Sequence, residues 1–326
     1  MEKDLHWAVL GVGVIANQMA EALQKHGKKI FSVGNRTHEK AVAFAEKYGI
    51  EKVYDDPDQM FTDPEVDIIY ITTPHNTHCS FMKKAIAGGK HLLVEKSITL
   101  NSSELSECLA LAKEKGTLIA EAQTIYHMPL YTELSGRLRA GEFGRVNLIT
   151  MNFGSFKDYN MKNRFFNRSL AGGAMLDIGV YALSFIRWFF DSAPADMQSM
   201  LVKAPTGVDE EASMLLENNA GQLATLMLSM HSKQPKRGMI SCEKGYIEVM
   251  EYPRAQEAVF TDAVTGEKAV IAKGSTDDAL WYELSDMEAA VKGDTSRLHI
   301  DYTEDVMKIM TDFRKQWGLT YPEEEG

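Results

Sequence analysis

The 326-residue chain is short of cysteine, of basic charge and of long apolar runs, and each shortage removes a class of protein. Its three cysteines, Cys79, Cys108 and Cys242, are scattered and odd in number, with no C-x-x-C pair. That set offers no disulfide or zinc framework and suits a reducing cytoplasm, so a cytoplasmic protein is expected. Lys and Arg number 35 against 46 Asp and Glu, a formal net charge of -11. Nucleic acid and anionic membranes are therefore poor candidates as partners. The opening "MEKDLHWAVL" lacks a basic region followed by an apolar core, so no signal peptide is expected. The most apolar later stretch, "YALSFIRWFF", is short and broken by Arg187, and no bilayer span is expected. Low-complexity tracts and solenoid repeats are absent too.

What is present is globular composition, 44% apolar and 25% charged, in a length that fits two ordinary domains. "HWAVLGVGVIANQMAEALQKH" reads as a short strand, a glycine turn and a helix. Gly11 and Gly13, with Ala16 third, match G-x-G-x-x-G/A, and Val14 and Ile15 open the helix. Gly11 suits the tight turn and Gly13 lets the backbone approach a pyrophosphate. Ala16 keeps helix and strand close, and the helix N-terminus supplies free N–H groups. Alone the motif is weak. The strand-like runs "IFSVGN", "DIIYIT", "HLLVE" and "TLIAEA" follow, alternating with helical patterns. That alternation predicts a doubly wound parallel Rossmann sheet over residues 1–122.

The end of the second strand selects among dinucleotides. A site for NAD usually places Asp or Glu about 20 residues after the glycine turn, on the ribose 2′-OH. Here "GNRTHEK" puts Asn35 and Arg36 there, with no acid before Glu39. A guanidinium can pair with a 2′-phosphate and stack on adenine, which favours NADP(H), with NAD(H) as the alternative. His75, His78 and Cys79 share one loop with no distant partner at ligand spacing, so no metal is expected.

From about Val146 the rhythm changes to strand-like segments joined by turn residues, among them "VNLITMNF", "EEASMLLEN", "GQLATLMLSMH", "RGMISCE" and "GYIEVMEY". These predict an α+β domain over residues 123–326 built on a largely antiparallel open sheet. Both alternating faces of "LATLMLSM" are mainly apolar, so both sides of the sheet need cover. Helices cover one; a second subunit, giving a homodimer, or further helices of the same chain cover the other. The helical stretches "DALWYELSDMEAAVKG" and "YTEDVMKIMTDFRKQWG" are expected to finish this second domain.

The motifs "TTPHNTH", "GKHLLVEKS" and "GGAMLDIGVY" resemble those of the Gfo/Idh/MocA family of NAD(P)-dependent oxidoreductases, and the resemblance runs from end to end. Its Glu-Lys-Pro motif reads Glu95-Lys96-Ser97 here. The serine replaces a proline that often sets the turn, sometimes through a cis peptide, which leaves the turn geometry open. The motif GG-x-x-x-D-x-G-x-His/Tyr ends in Tyr181, as in the dihydrodiol and xylose dehydrogenase branch. The resemblance implies an enzyme of carbohydrate metabolism that moves a hydride between nicotinamide and a sugar, cyclic polyol or diol. It also implies a cofactor site touching Thr73, Pro74, Asn76, His78, Glu95, Lys96 and Glu121.

Lys96 leaves the C-terminal end of a parallel strand, where open α/β sheets place ligands. Its cation favours tyrosinate at a neighbouring Tyr181, which then carries the substrate proton; Lys96 as the direct acid is the alternative. Asp177 and Tyr181, four apart on one expected helix, share a face. Asp177 is then available to substrate hydroxyls or to hold Tyr181 and Lys96 in register. A capping Asp177 with a core-packed Tyr181 is the alternative. Arg164 and Arg168, just before the motif, are further candidates for substrate contact. Two other functions stay open: a tightly held cofactor recycled between two substrates, and a dinucleotide sensor without turnover.

Overall fold

The computed structural model describes residues 4–325, which divide into two compact units. The first comprises residues 4–123 and 280–300, and the second residues 124–279 and 301–325.

In the first unit, β1 (Trp7–Leu10) runs through the glycine turn into α1 (Val14–Lys25). The alternation continues with β2 (Ser32–Gly34), α2 (His38–Tyr48), β3 (Lys52–Val53), α3 (Asp58–Thr62) and β4 (Ile68–Ile71). It closes with α4 (His75–Ala87), β5 (His91–Glu95), α5 (Ser102–Lys115) and β6 (Ile119–Ala122). All six strands are parallel, in the order β3-β2-β1-β4-β5-β6. That is the doubly wound order with its switch point between β1 and β4, where such sheets bind ligands. β1 and β4 are buried at every position, as expected of strands covered on both faces. Helices α2 and α5 end on Gly49 and Gly116 in the left-handed conformation, and Asn101 caps the start of α5 by accepting from Glu104 N–H.

The second unit opens with α6 (Thr124–His127), α7 (Pro129–Arg139) and β7 (Val146–Gly154). A π-helical turn, Met175–Gly179, then runs into α8 (Val180–Phe189). Seven strands follow: β8 (Pro194–Lys203), β9 (Asp209–Asn218), β10 (Leu223–Ser229), β11 (Gln234–Cys242), β12 (Gly245–Met250), β13 (Glu257–Asp262) and β14 (Lys268–Ala272). With β7 they form one sheet in the order β14-β13-β12-β11-β7-β10-β9-β8. Only the β7–β10 pair is parallel. Along β10, Ala224, Leu226 and Leu228 are buried while Leu223 and Met227 are exposed, so the described residues cover only one of its two apolar faces. Residues 168–189 have the length and hydropathy of a membrane span, but 83% of their most apolar window is buried inside the fold.

The two late helices are α9 (Ala279–Val291) and α10 (Ile300–Gln316). The sequence pattern predicts both in the second domain, but α9 packs on the first unit. Leu284, Met287, Ala290 and Leu298 join the core of Trp7, Val9, Leu23 and Tyr70. Glu288 accepts hydrogen bonds from Trp7 Nε1 (3.0 Å) and Lys28 Nζ (3.0 Å). Two cysteines distant in sequence also meet in the first unit, with Cys79 Sγ of α4 4.0 Å from Cys108 Sγ of α5.

Candidate active site

The glycine turn has the form a pyrophosphate needs. Gly11 has φ +99°, and a Cβ there would fall 2.8 Å from Thr72 Oγ1 and 3.2 Å from the Thr72 backbone, so only glycine fits. A Cβ on Gly13, by contrast, would meet nothing within 4 Å, leaving its backbone open to an incoming group. No side chain caps α1 at Gly13 and no acid lies in its first turn, so the positive end of the helix faces outward. Val14, the first residue of α1, is 79% exposed, an apolar surface ready to be covered, while Ala16 is fully buried against the sheet. Asn35 and Arg36 follow β2. The Asn35 amide donates to Thr37 O (2.9 Å), and Arg36 is exposed and makes no ion pair among the described residues. These features fit a dinucleotide.

At the ends of β4 and β5 the backbone is clamped by buried side chains. His78 is fully buried; its Nε2 lies 2.7 Å from Thr73 O, and its Nδ1 3.2 Å from both Ser97 O and Ile98 O. Burial holds its pKa below the ordinary histidine value against the pull of those carbonyls. His75 Nε2 lies 3.0 Å from Lys96 O, and Ile98 N–H donates to Glu121 Oε1 (3.1 Å). The Lys96–Ser97 peptide, where the family motif has proline, is cis. Three side chains thus fix the segment from Lys96 to Ile98. Tyr70 OH donates to Glu95, and Thr77 Oγ1 to Thr73 Oγ1 (2.8 Å). Pro74 is exposed and Asn76 half-buried at the start of α4.

Two of the residues expected at the cofactor are buried. His78 and Glu121 lie inside the fold, bonded to the backbone of the Lys96 segment, because burial requires their polar atoms to find internal partners. They brace the lysine.

In the second unit the turn Met175–Gly179 carries Asp177, and α8 carries Tyr181. The expected single α-helix therefore begins with a wider turn, in which Val180 N–H bonds to Met175 O. Such turns recur at functional sites. Asp177 is largely buried, with Arg164 Nη2 3.5 Å from its Oδ1. Tyr181 is half-buried, its ring centroid 6.4 Å from that of Phe153. Arg164 also lies over Phe165, 4.1 Å from the ring centroid. Arg168, the other arginine before the motif, donates to Thr320 O (2.8 Å) and pairs with Glu325, tying the C-terminal segment down.

Asp209 carries no motif signal in the sequence. This first residue of β9 is fully buried and accepts a hydrogen bond from Met175 N–H (2.5 Å). Burial raises its pKa to about 7, against the effect of backbone N–H groups and of Arg314. No spacing rule singles it out, since its partners lie 34 residues back and in the C-terminal segment. Among the described residues no group of three or more His, Cys, Asp or Glu gathers to hold a metal ion.

A doubly wound parallel sheet with an uncapped helix N-terminus at its glycine turn, and a clamped lysine leaving its fifth strand, has the form of a dinucleotide-binding unit. Comparison with known proteins gives the family. The model of the Gfo/Idh/MocA oxidoreductases with NAD-binding Rossmann fold matches residues 5–123, and the family's C-terminal-domain model matches residues 131–248. The chain belongs to this family of NAD(P)-binding enzymes. It is 27% identical to trans-1,2-dihydrobenzene-1,2-diol dehydrogenase of Mus musculus, over 98% of this chain and 99% of the relative. The same identity relates it to the dehydrogenase of that name in Xenopus tropicalis, over 97% and 99%. In fold it is similar to an aldose-aldose oxidoreductase from Caulobacter crescentus solved with glycerol (TM-score 0.83, 22% identity, covering 97% of this chain and 98% of that one). A variant of a 3-ketoreductase from Actinomadura kijaniata, solved with NADP and TDP-benzene, has TM-score 0.82 at 21% identity, covering 96% and 98%.

Proposed function

We propose that the protein is an NADP(H)-preferring oxidoreductase that interconverts alcohol and carbonyl on a sugar, cyclic polyol or diol. The observation that carries the reaction is Lys96, held at the end of β5 by His75, His78 and Glu121 in a family of dinucleotide-dependent enzymes. Relatives named for a cyclic diol support the substrate class. The exposed Arg36, with no acid beside it at the end of β2, supports the 2′-phosphate.

When bound, the nicotinamide supplies the hydride acceptor or donor. The protein supplies the rest. Gly11, Gly13, Val14, Ile15 and the α1 N-terminus hold the pyrophosphate; Asn35 and Arg36 take the adenosine end, and Thr73, Pro74, Asn76 and Glu95 line the nicotinamide side. Lys96 orients the substrate oxygen and Tyr181 carries its proton. Asp177 accepts from a substrate hydroxyl, with Arg164 beside it. The uncovered face of the second sheet, with Met200 80%, Met227 53% and Val270 67% exposed, is proposed to pair with a second copy of the chain. Incubating the protein with NADP(H) and a panel of pentoses, hexoses, inositols and vicinal diols, followed by reduced-nicotinamide absorbance, tests the reaction. Turnover of none of them under either cofactor would overturn it.

A further inference from the structure

The GG-x-x-x-D segment is held by residues outside the motif. Asp209 Oδ2 accepts from Met175 N–H. Its Oδ1 is buried with no hydrogen-bond partner among the described residues, and a Cβ on Gly173 would fall 2.0 Å from it. The C-terminal segment holds the preceding glycine: Tyr321 OH donates to Gly172 O (2.8 Å). Arg314, 2% exposed, braces that tyrosine, its guanidinium 4.8 Å from the ring centroid and paired at two points with Glu324 (2.8 and 2.9 Å). Tyr321 N–H closes the loop on Glu324 Oε2 (2.8 Å). Gly172, Gly173 and Met175 are thus held by β9 and the C-terminal segment.

A buried carboxylate is unfavourable unless its partners compensate, and one oxygen here has none. What offsets that cost is specific to a helix start, where a carboxyl oxygen takes a free N–H group, and the ionised form, reached above about pH 7, also complements the dipole. An amide keeps one acceptor and turns a donor toward N–H groups or toward Gly173. The position therefore calls for a carboxyl group against the residue where the π-helical turn begins, two residues before Asp177 and six before Tyr181.

We propose that Asp209 is a positioning residue for proton transfer: it fixes where the turn Met175–Gly179 starts, and with it the placement of Asp177 and Tyr181. This inference rests on the role proposed for Tyr181. A misplacement of about 1 Å is enough to lower turnover about 10²-fold. Asp209→Asn is expected to lower kcat by roughly 10- to 100-fold, while NADPH affinity, set in the first unit, changes less than about twofold.

A double-mutant cycle separates positioning from general damage. If Asp209 acts through the Tyr181 helix, Asp209→Asn with Tyr181→Phe is no slower than Tyr181→Phe alone. The same fold-loss in both backgrounds, or an unchanged kcat for Asp209→Asn, would overturn the proposal. Full activity in Tyr181→Phe by itself would sink the proposed proton carrier instead, and the cycle is then read against Asp177→Asn. Should Asp209→Asn fail to fold, Tyr321→Phe removes one hydrogen bond from the same segment. Its kcat loss must likewise vanish in the Tyr181→Phe background, and persistence there counts against the proposal.

Discussion

Lys96 is a surface-type side chain on a backbone with little freedom, because His75, His78 and Glu121 hold the carbonyls and N–H that flank it. A proton-transfer site needs that fixity, since acid–base catalysis contributes about 10²–10⁴-fold only when the groups are placed. Lys96→Met and Tyr181→Phe are each expected to lose turnover in that range while NADPH affinity stays within a few fold, as read by steady-state kinetics and equilibrium binding. Arg36→Ala should weaken NADPH far more than NADH; equal losses would remove the 2′-phosphate role. Asp209 offers a stability test. Its pKa is raised by burial from 3.8 to about 7, so its contribution to folding is fully present below about pH 4 and is lost as pH rises through 7. Asp209→Asn cannot ionise. The melting temperature of the variant minus that of the wild type should therefore rise between pH 5 and pH 8, and a flat or falling difference would show that the carboxyl is not titrating there.

Elements were legible where local periodicity decides them. β1, α1 and the alternation through β6 follow from apolar runs, glycine turns and helical spacing, and the glycine motif lies where its pattern placed it. The motif "GGAMLDIGVY" was visible too, but not its wider first turn, which depends on Asp209 and Tyr321 from distant parts of the chain. The meeting of Cys79 with Cys108 escaped for the same reason: facing helices, not spacing, bring them together. Helix α9 was recognised as a helix but given to the wrong partner. Amphipathic spacing says that a face is buried and does not say against what. Its packing makes a clear prediction: Met287 is fully buried in the first unit's core, so Met287→Ala should cost about 2–5 kcal/mol in denaturant unfolding. A loss below 1 kcal/mol would mean that α9 is a loose cover.

On the scale of the whole molecule, the second sheet leaves one face to solvent with Met200, Leu215, Met227, Met250 and Val270 exposed along it. Strand alternation put apolar residues on both faces of β10; nothing in the sequence told a second subunit from another helix. If a second copy covers this face, Met227→Glu with Leu215→Lys should convert a dimer to a monomer in analytical ultracentrifugation. An unchanged sedimentation coefficient would place the interface elsewhere or exclude it. The central claim is that this family member is an active oxidoreductase whose chemistry depends on the clamped lysine. Its most direct test is the turnover of NADP(H) with the sugar, inositol and diol panel, by wild type and Lys96→Met in parallel. The account predicts turnover of at least one member by the wild type and a loss of about 10²-fold or more in the variant. Equal turnover by the two proteins would contradict it.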